Sequence, residues 1–125
     1  MKKIMIGLMV ISIFYACGDG AGAGRNTSSN EKKDAAQSPE YEAGFNLVAK
    51  TGCPTCHKVD EASTGPSFKS IATKYPNNAD TYQNLALKII KGGAGVWGQI
   101  PMTPHPEVSQ EDATKMVKYI MLLKN

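Results

Sequence analysis

Cys53-Pro54-Thr55-Cys56-His57 is the stretch on which the reading of this 125-residue chain turns. Two thiols three positions apart, followed at once by an imidazole, form the attachment signature of a c-type haem. The spacing has a chemical reason. Two intervening residues let one short turn present both sulfurs to the two vinyl groups on one porphyrin edge, where they form thioethers. The next residue then falls under the ring, where its imidazole can bind iron. Two other readings fit part of the motif: half of a zinc site, or a thioredoxin-like redox pair. Neither requires a His at the next position. A four-ligand zinc site needs more Cys or His, and the chain offers only Cys17 and His105, neither in paired spacing. A thioredoxin-like pair needs alternating strands and helices, which the flanking sequence lacks.

Upstream, Ser38-Pro39-Glu40 reads as an N-cap, a first-turn proline and an early acid. A helix is expected from there to about Lys50, stopped by Thr51-Gly52. Tyr41, Phe45 and Val48 share one of its faces with Gly44, a place for close helix contact or a tolerated surface glycine. Further upstream the character changes. Lys2 and Lys3 precede an apolar run, Ile4 to Tyr15, too short to span a bilayer but long enough for a signal peptide core. It ends in Phe14-Tyr15-Ala16-Cys17, similar to a bacterial lipobox, with Tyr15 bulkier than usual. Residues 1–16 are therefore expected to be a lipoprotein-type signal, with Cys17 as the lipidation site. The alternative is a plain secretory signal cut near Ala16. Residues 17–38 are rich in Gly, Ala, Ser and Asn with balanced charge, as in a flexible tether. The expected location is the periplasmic side of a bacterial membrane, lipid-anchored or, on the alternative, soluble. Export suits haem attachment, because such adducts mature outside the cytoplasm.

Downstream, the Ser/Thr/Gly/Pro-rich run around Gly65-Pro66 reads as a loop. A short helix follows, from about Ser67 to Tyr75, ended by Pro76. Asn78 or Asp80 caps another to about Lys91, with Tyr82, Leu85, Ala86, Ile89 and Ile90 at helical spacing. Between Gly92 and Pro106, four glycines and three prolines predict irregular backbone. This segment is apolar and holds the only Trp, so it suits packing against a broad flat surface. Ser109, with Asp112 three residues on, opens a last helix to about Lys124, with Ala113, Met116, Val117, Ile120 and Leu123 as its stripe. No strand pattern is visible. The class is all-α, in one folded unit over residues 39–125. So short a unit buries a thin core, which a porphyrin would complete. Net charge is +3 with no Lys/Arg cluster interleaved with aromatics, which excludes nucleic acid as a partner.

Cys53 to His57, then Gly65-Pro66, then Ile100-Pro101-Met102 and a final amphipathic helix together resemble a small single-haem class I bacterial cytochrome c. The resemblance implies about four helices wrapped around one covalently attached haem c. It makes Cys53 and Cys56 the thioether carriers and His57 the proximal ligand through Nε2, its Nδ1–H donating to the Pro66 carbonyl. Met102 becomes the distal ligand, and Trp97 a donor to a haem propionate. His105, between two prolines, is the competing distal ligand. The first and last helices would cross near Gly44/Phe45 and Val117/Ile120. Phe45 lies further from Cys53 than the family's usual aromatic residue, and Thr103 stands where a second proline is common. His/Met ligation fills both axial positions of the iron, so the resemblance implies electron transfer and no enzyme activity. The partners would be redox proteins, either respiratory complexes or periplasmic oxidoreductases, with the membrane reached through the lipid. Alternatives are a haem-based sensor in which Met102 dissociates, or a fixed cytochrome subunit of an oxidoreductase.

Overall fold

The computed structural model describes residues 38–124. The expected signal peptide, Cys17 and the tether up to residue 37 lie outside them.

Four α-helices make up most of the described chain: α1 (Pro39–Lys50), α2 (Phe68–Lys74), α3 (Ala79–Lys91) and α4 (Gln110–Leu122). Each begins where a short polar side chain accepts a backbone N–H that the helix leaves unpaired. Ser38 accepts from Tyr41, Ser67 from Ser70, Asn78 from Thr81, and Ser109 from Asp112. Such caps contribute about 1 kcal/mol each. α2 ends at Lys74, before the Tyr75-Pro76 step that proline keeps out of helical geometry. α4 closes at Leu122, earlier than expected, with Leu123 as its C-cap.

The core is one cluster contributed by all four helices. Val48, Phe68, Ala72, Ala86, Ile89, Ala113, Met116, Val117, Tyr119, Ile120 and Met121 are its buried members. More than half of them come from α4, which packs against each of the other three helices. Tyr119 and Met121 were not on the expected stripe, so α4 is buried on more than one side. Burial and the neighbouring Tyr41 push the Tyr119 hydroxyl up to about 12.

The α1–α4 crossing differs from the expected pairing. A Cβ on Gly44 would lie 2.4 Å from Tyr119 Cβ and 2.5 Å from the Lys115 carbonyl oxygen. The close approach to Gly44 is therefore made by Lys115 and Tyr119, on either side of Val117, and not by the Val117 and Ile120 side chains. Tyr119 occupies the space beside the glycine and meets Tyr41 and Phe45 edge-on, at 5.0 and 5.8 Å. Phe45 remains 47 % exposed, which is why it is not a core anchor. Lys118 crosses the same interface to Glu40 at 2.7 Å.

The segment expected to be irregular contains an antiparallel hairpin, β1 (Gly93–Gly95) and β2 (Gly98–Met102). Gly93 faces Met102 and Gly95 faces Gly98, with an irregularity between them. Its two-residue tip, Val96-Trp97, sits between glycines with φ of +100° and +115°, geometry that side-chain-bearing residues rarely adopt. Pro101 is tolerated because both strands of a two-stranded sheet are edges. The strands leave almost every residue exposed, so no alternation of apolar and polar residues marks them in the sequence.

Gly44→Ala is expected to destabilise the protein by about 1–3 kcal/mol, because the added methyl meets helix backbone that cannot step aside. Guanidinium unfolding would check it. An unchanged or higher midpoint would show that helix propensity outweighs the crowding.

Candidate functional site

α1 delivers the chain into the Cys motif through Gly52, which turns the backbone at φ +78°. Cys53–Thr55 then forms a single 3-10 turn. The amides of Cys56 and His57 both donate to the Cys53 carbonyl, at 3.1 and 3.0 Å. These two hydrogen bonds to one oxygen fold both thiols and the imidazole onto a compact unit. Both cysteines are free; Cys53 is partly buried against the core and Cys56 is exposed. Burial pushes the Cys53 thiol up, its backbone hydrogen bond works against this, and Cys56 adds to the rise.

The loop after the motif folds back to hold the His57 ring. Gly65 N–H donates to the Cys56 carbonyl at 2.9 Å, and Phe68 N–H to the Lys58 carbonyl at 2.9 Å. His57 Nδ1 lies 2.7 Å from the Pro66 carbonyl oxygen. A carbonyl can only accept, so Nδ1 carries the proton, and in the neutral ring Nε2 keeps its lone pair. A Cβ on Gly65 would come within 2.5 Å of the ring. Phe68 stacks near it, with centroids 5.7 Å apart and planes 18° from parallel. The sequence carries a signal for Gly65 and Pro66. The Phe68 contact went unread, because its helical position alone marks it only as core.

Met102 ends β2 with its side chain half-buried against the core cluster. The segment beyond it is tied down: His105 N–H donates to the Ile89 carbonyl at 3.0 Å. The His105 ring, the competing distal ligand, pairs with Glu107 at 3.1 Å. Trp97 stands at the hairpin tip, edge-on to Tyr75 at 6.5 Å, with Lys74 Nζ 5.2 Å above its ring. Among the described residues, no group of three or more His, Cys, Asp or Glu could hold a metal ion, which disfavours the zinc reading. The helical fold with one small hairpin does not fit the thioredoxin-like reading.

The family described as Cytochrome c matches residues 41–124. The chain belongs to the cytochrome c family. Cytochrome c-551 of Azotobacter vinelandii is 42 % identical over 83 residues, covering 66 % of this chain and all of that protein. Cytochrome c-552 of Nitrosomonas europaea is 43 % identical over 83 residues, covering 66 % of this chain and 81 % of that one. The crystal structure of wild-type Nitrosomonas europaea cytochrome c552 superposes with a TM-score of 0.60 at 44 % identity, over 64 % of this chain and 99 % of that one. This cytochrome thus has the class I fold, four helices around one covalently attached haem c. It is an electron-transfer protein and not an enzyme.

The residues present fit that group. Two free thiols and a His with a bare Nε2 are gathered on one turn. Val96, Trp97 and Ile100 of the hairpin are 55 %, 45 % and 66 % exposed, large apolar groups that the polypeptide itself leaves uncovered. Such a set suits contact with a large apolar partner. No described helix of the cytochrome is long and apolar enough to cross a membrane.

Gly65→Ala is expected to displace the His57 ring from Pro66. Loss of such a support commonly costs on the order of tenfold in ligand affinity. The His57 Nδ1–H resonance of the reduced protein should shift or exchange away; an unmoved resonance would show that Gly65 does not confine the ring.

Proposed function

We propose that this cytochrome is a membrane-tethered carrier of single electrons between periplasmic redox proteins. Cys53 and Cys56 would hold the haem through thioethers, and His57 Nε2 and the Met102 thioether would bind its iron. The observation that carries this reading is the 2.7 Å contact between His57 Nδ1 and the Pro66 carbonyl. It commits one ring nitrogen to the protein and leaves the other for a metal. When bound, the haem supplies a one-electron couple. The chain's own residues do the rest. His57 is held in one tautomer and one orientation, so its ligand geometry is set before the metal is met. Met102 offers a soft, neutral thioether that favours the reduced state and raises the potential. Its backbone is held by the pairing with Gly93 and by Pro101 before it. With His57 and Met102 both bound to the iron, no position would be left for a substrate, which favours electron transfer over ligand sensing. Trp97 is proposed as a donor to a haem propionate through its indole N–H.

The tethering rests on the N-terminal sequence. Lys2-Lys3, the apolar run to Tyr15 and the Ala16-Cys17 junction support export, cleavage before Cys17 and lipid attachment there. The following Gly/Ser/Asn-rich residues would give the folded domain a reach on the order of 25 Å from the membrane.

The mass of the product exported from a host that matures c-type haem tests both parts. The expected mass is that of the chain from Cys17 plus one haem and a lipid; the bare peptide mass would overturn the account. Met102→Ala should retain the covalent haem, lose the near-infrared sulfur-to-iron band and lower the potential by on the order of 0.1–0.3 V. An unchanged band would remove Met102 from the iron.

A further inference from the structure

The backbone at Gly65 and Pro66 confines the His57 ring to one rotamer but leaves its tilt open. Nδ1 lies 2.7 Å from the Pro66 carbonyl oxygen, yet a carbonyl accepts over a broad range of directions. The χ2 torsion of a histidine is broad as well. The ring can therefore rock through a range of planes while keeping that one bond. Gly65 crowds the Nδ1–Cε1 side, where an added Cβ would stand 2.8 and 2.5 Å from those atoms. Setting the plane itself takes a flat partner.

Phe68 is that partner. Its ring centroid is 5.7 Å from that of His57, with the planes 18° from parallel, inside the range of offset aromatic stacking. A flat neighbour resists tilting, because tilt presses one edge into overlap and opens a gap at the other. The neighbour must itself be immobile, and Phe68 is held from two sides. It is 3 % exposed and belongs to the core cluster, through which α2 packs on α4. It is also the first residue of α2, directly after the buried cap Ser67. Its N–H donates to the Lys58 carbonyl at 2.9 Å, and the Lys69 N–H to the Val59 carbonyl at 3.1 Å. The residue that faces the imidazole is thus bonded to the residue that follows it and rooted in the core.

We propose that Phe68 is a positioning residue for the axial ligand: its ring selects the plane of the His57 imidazole and keeps that plane the same in both oxidation states. The proposal rests on the reading of His57 as an iron ligand. The plane matters there because the imidazole π orbital stands perpendicular to the ring. Its direction decides how unpaired spin on ferric iron spreads over the porphyrin. A plane held by the core also changes little as an electron arrives or leaves, which keeps reorganisation small.

The test uses the haem-loaded protein, made with Cys17→Ser so that it stays unlipidated, oxidised and with cyanide in place of Met102. Cyanide is symmetric about its bond to iron, so the spread and order of the haem-methyl proton resonances then follow the His57 plane. Phe68→Leu should keep the haem and shift that pattern, whereas Phe68→Tyr, which retains the flat ring, should keep the original pattern. Ala72→Gly loosens the same helix with Phe68 left in place. It should lower the melting temperature and leave the pattern unmoved. In the reduced, cyanide-free protein, Phe68→Leu should speed exchange of the His57 Nδ1–H by up to about tenfold, the factor to which one aromatic pair converts. An unmoved pattern in Phe68→Leu would make Phe68 a core residue only and overturn the proposal. So would an equal shift in Ala72→Gly or in Phe68→Tyr. Should Phe68→Leu fail to fold, nuclear Overhauser contacts between the Phe68 and His57 rings of the unmutated protein decide: their presence upholds the stacking, and their absence overturns the proposal. In each of these cases, His57 ring protons shifted far upfield in the reduced protein would leave the ligand reading standing. Ring protons at their ordinary positions would instead sink that reading.

Discussion

The Pro66 carbonyl accepts a 2.7 Å hydrogen bond from His57 Nδ1, and Gly65 and Phe68 lie against the same ring. An imidazole on a surface turn would otherwise sample several rotamers. Here its freedom is removed by backbone, which is harder to displace than a side chain. The loop that supplies Pro66 is held in turn by the Gly65 and Phe68 amides, bonded to the Cys56 and Lys58 carbonyls. Motif and loop thus run side by side in the same direction and fix each other. Ser67 then caps α2 directly beyond Pro66, so the loop's position is continuous with the core.

That core is small, and α4 unites it. At one close contact Gly44 meets the Lys115 backbone and the Tyr119 Cβ. Close approach of two helices excludes water from a large shared area with few side chains, an efficient use of a short chain. Gly44 costs about 1 kcal/mol in helix propensity, and the packing it permits offsets that cost. The crossing also fixes the end of α1, and hence where Gly52 launches the Cys motif.

The hairpin works differently. Its residues face solvent on the polypeptide's own account, and its geometry comes from glycine conformations and a short ladder rather than from burial. It places Trp97 beside α2 and Met102 against the core, linking the two sides of the proposed haem crevice. At the tip, Lys74 Nζ lies 5.2 Å from the centroid of the Trp97 ring.

Local chemistry in the sequence determined a good deal here. Ser38, Ser67, Asn78 and Ser109 mark helix starts because a capping side chain needs only its own next three residues. Pro76 and Gly92 mark helix ends for equally local reasons. The Cys53–His57 spacing names the cofactor because thioether attachment and ligation must both be met within five residues. Tertiary structure alone decided what depends on distant neighbours. It selected Tyr119 rather than Val117 to face Gly44, since a helical stripe does not reveal how its partner is rotated. It paired Gly93 with Met102, since exposed strands carry no alternation to read. It brought Lys74 over Trp97, 23 positions apart in the chain, since only the packed fold sets which surface side chains meet.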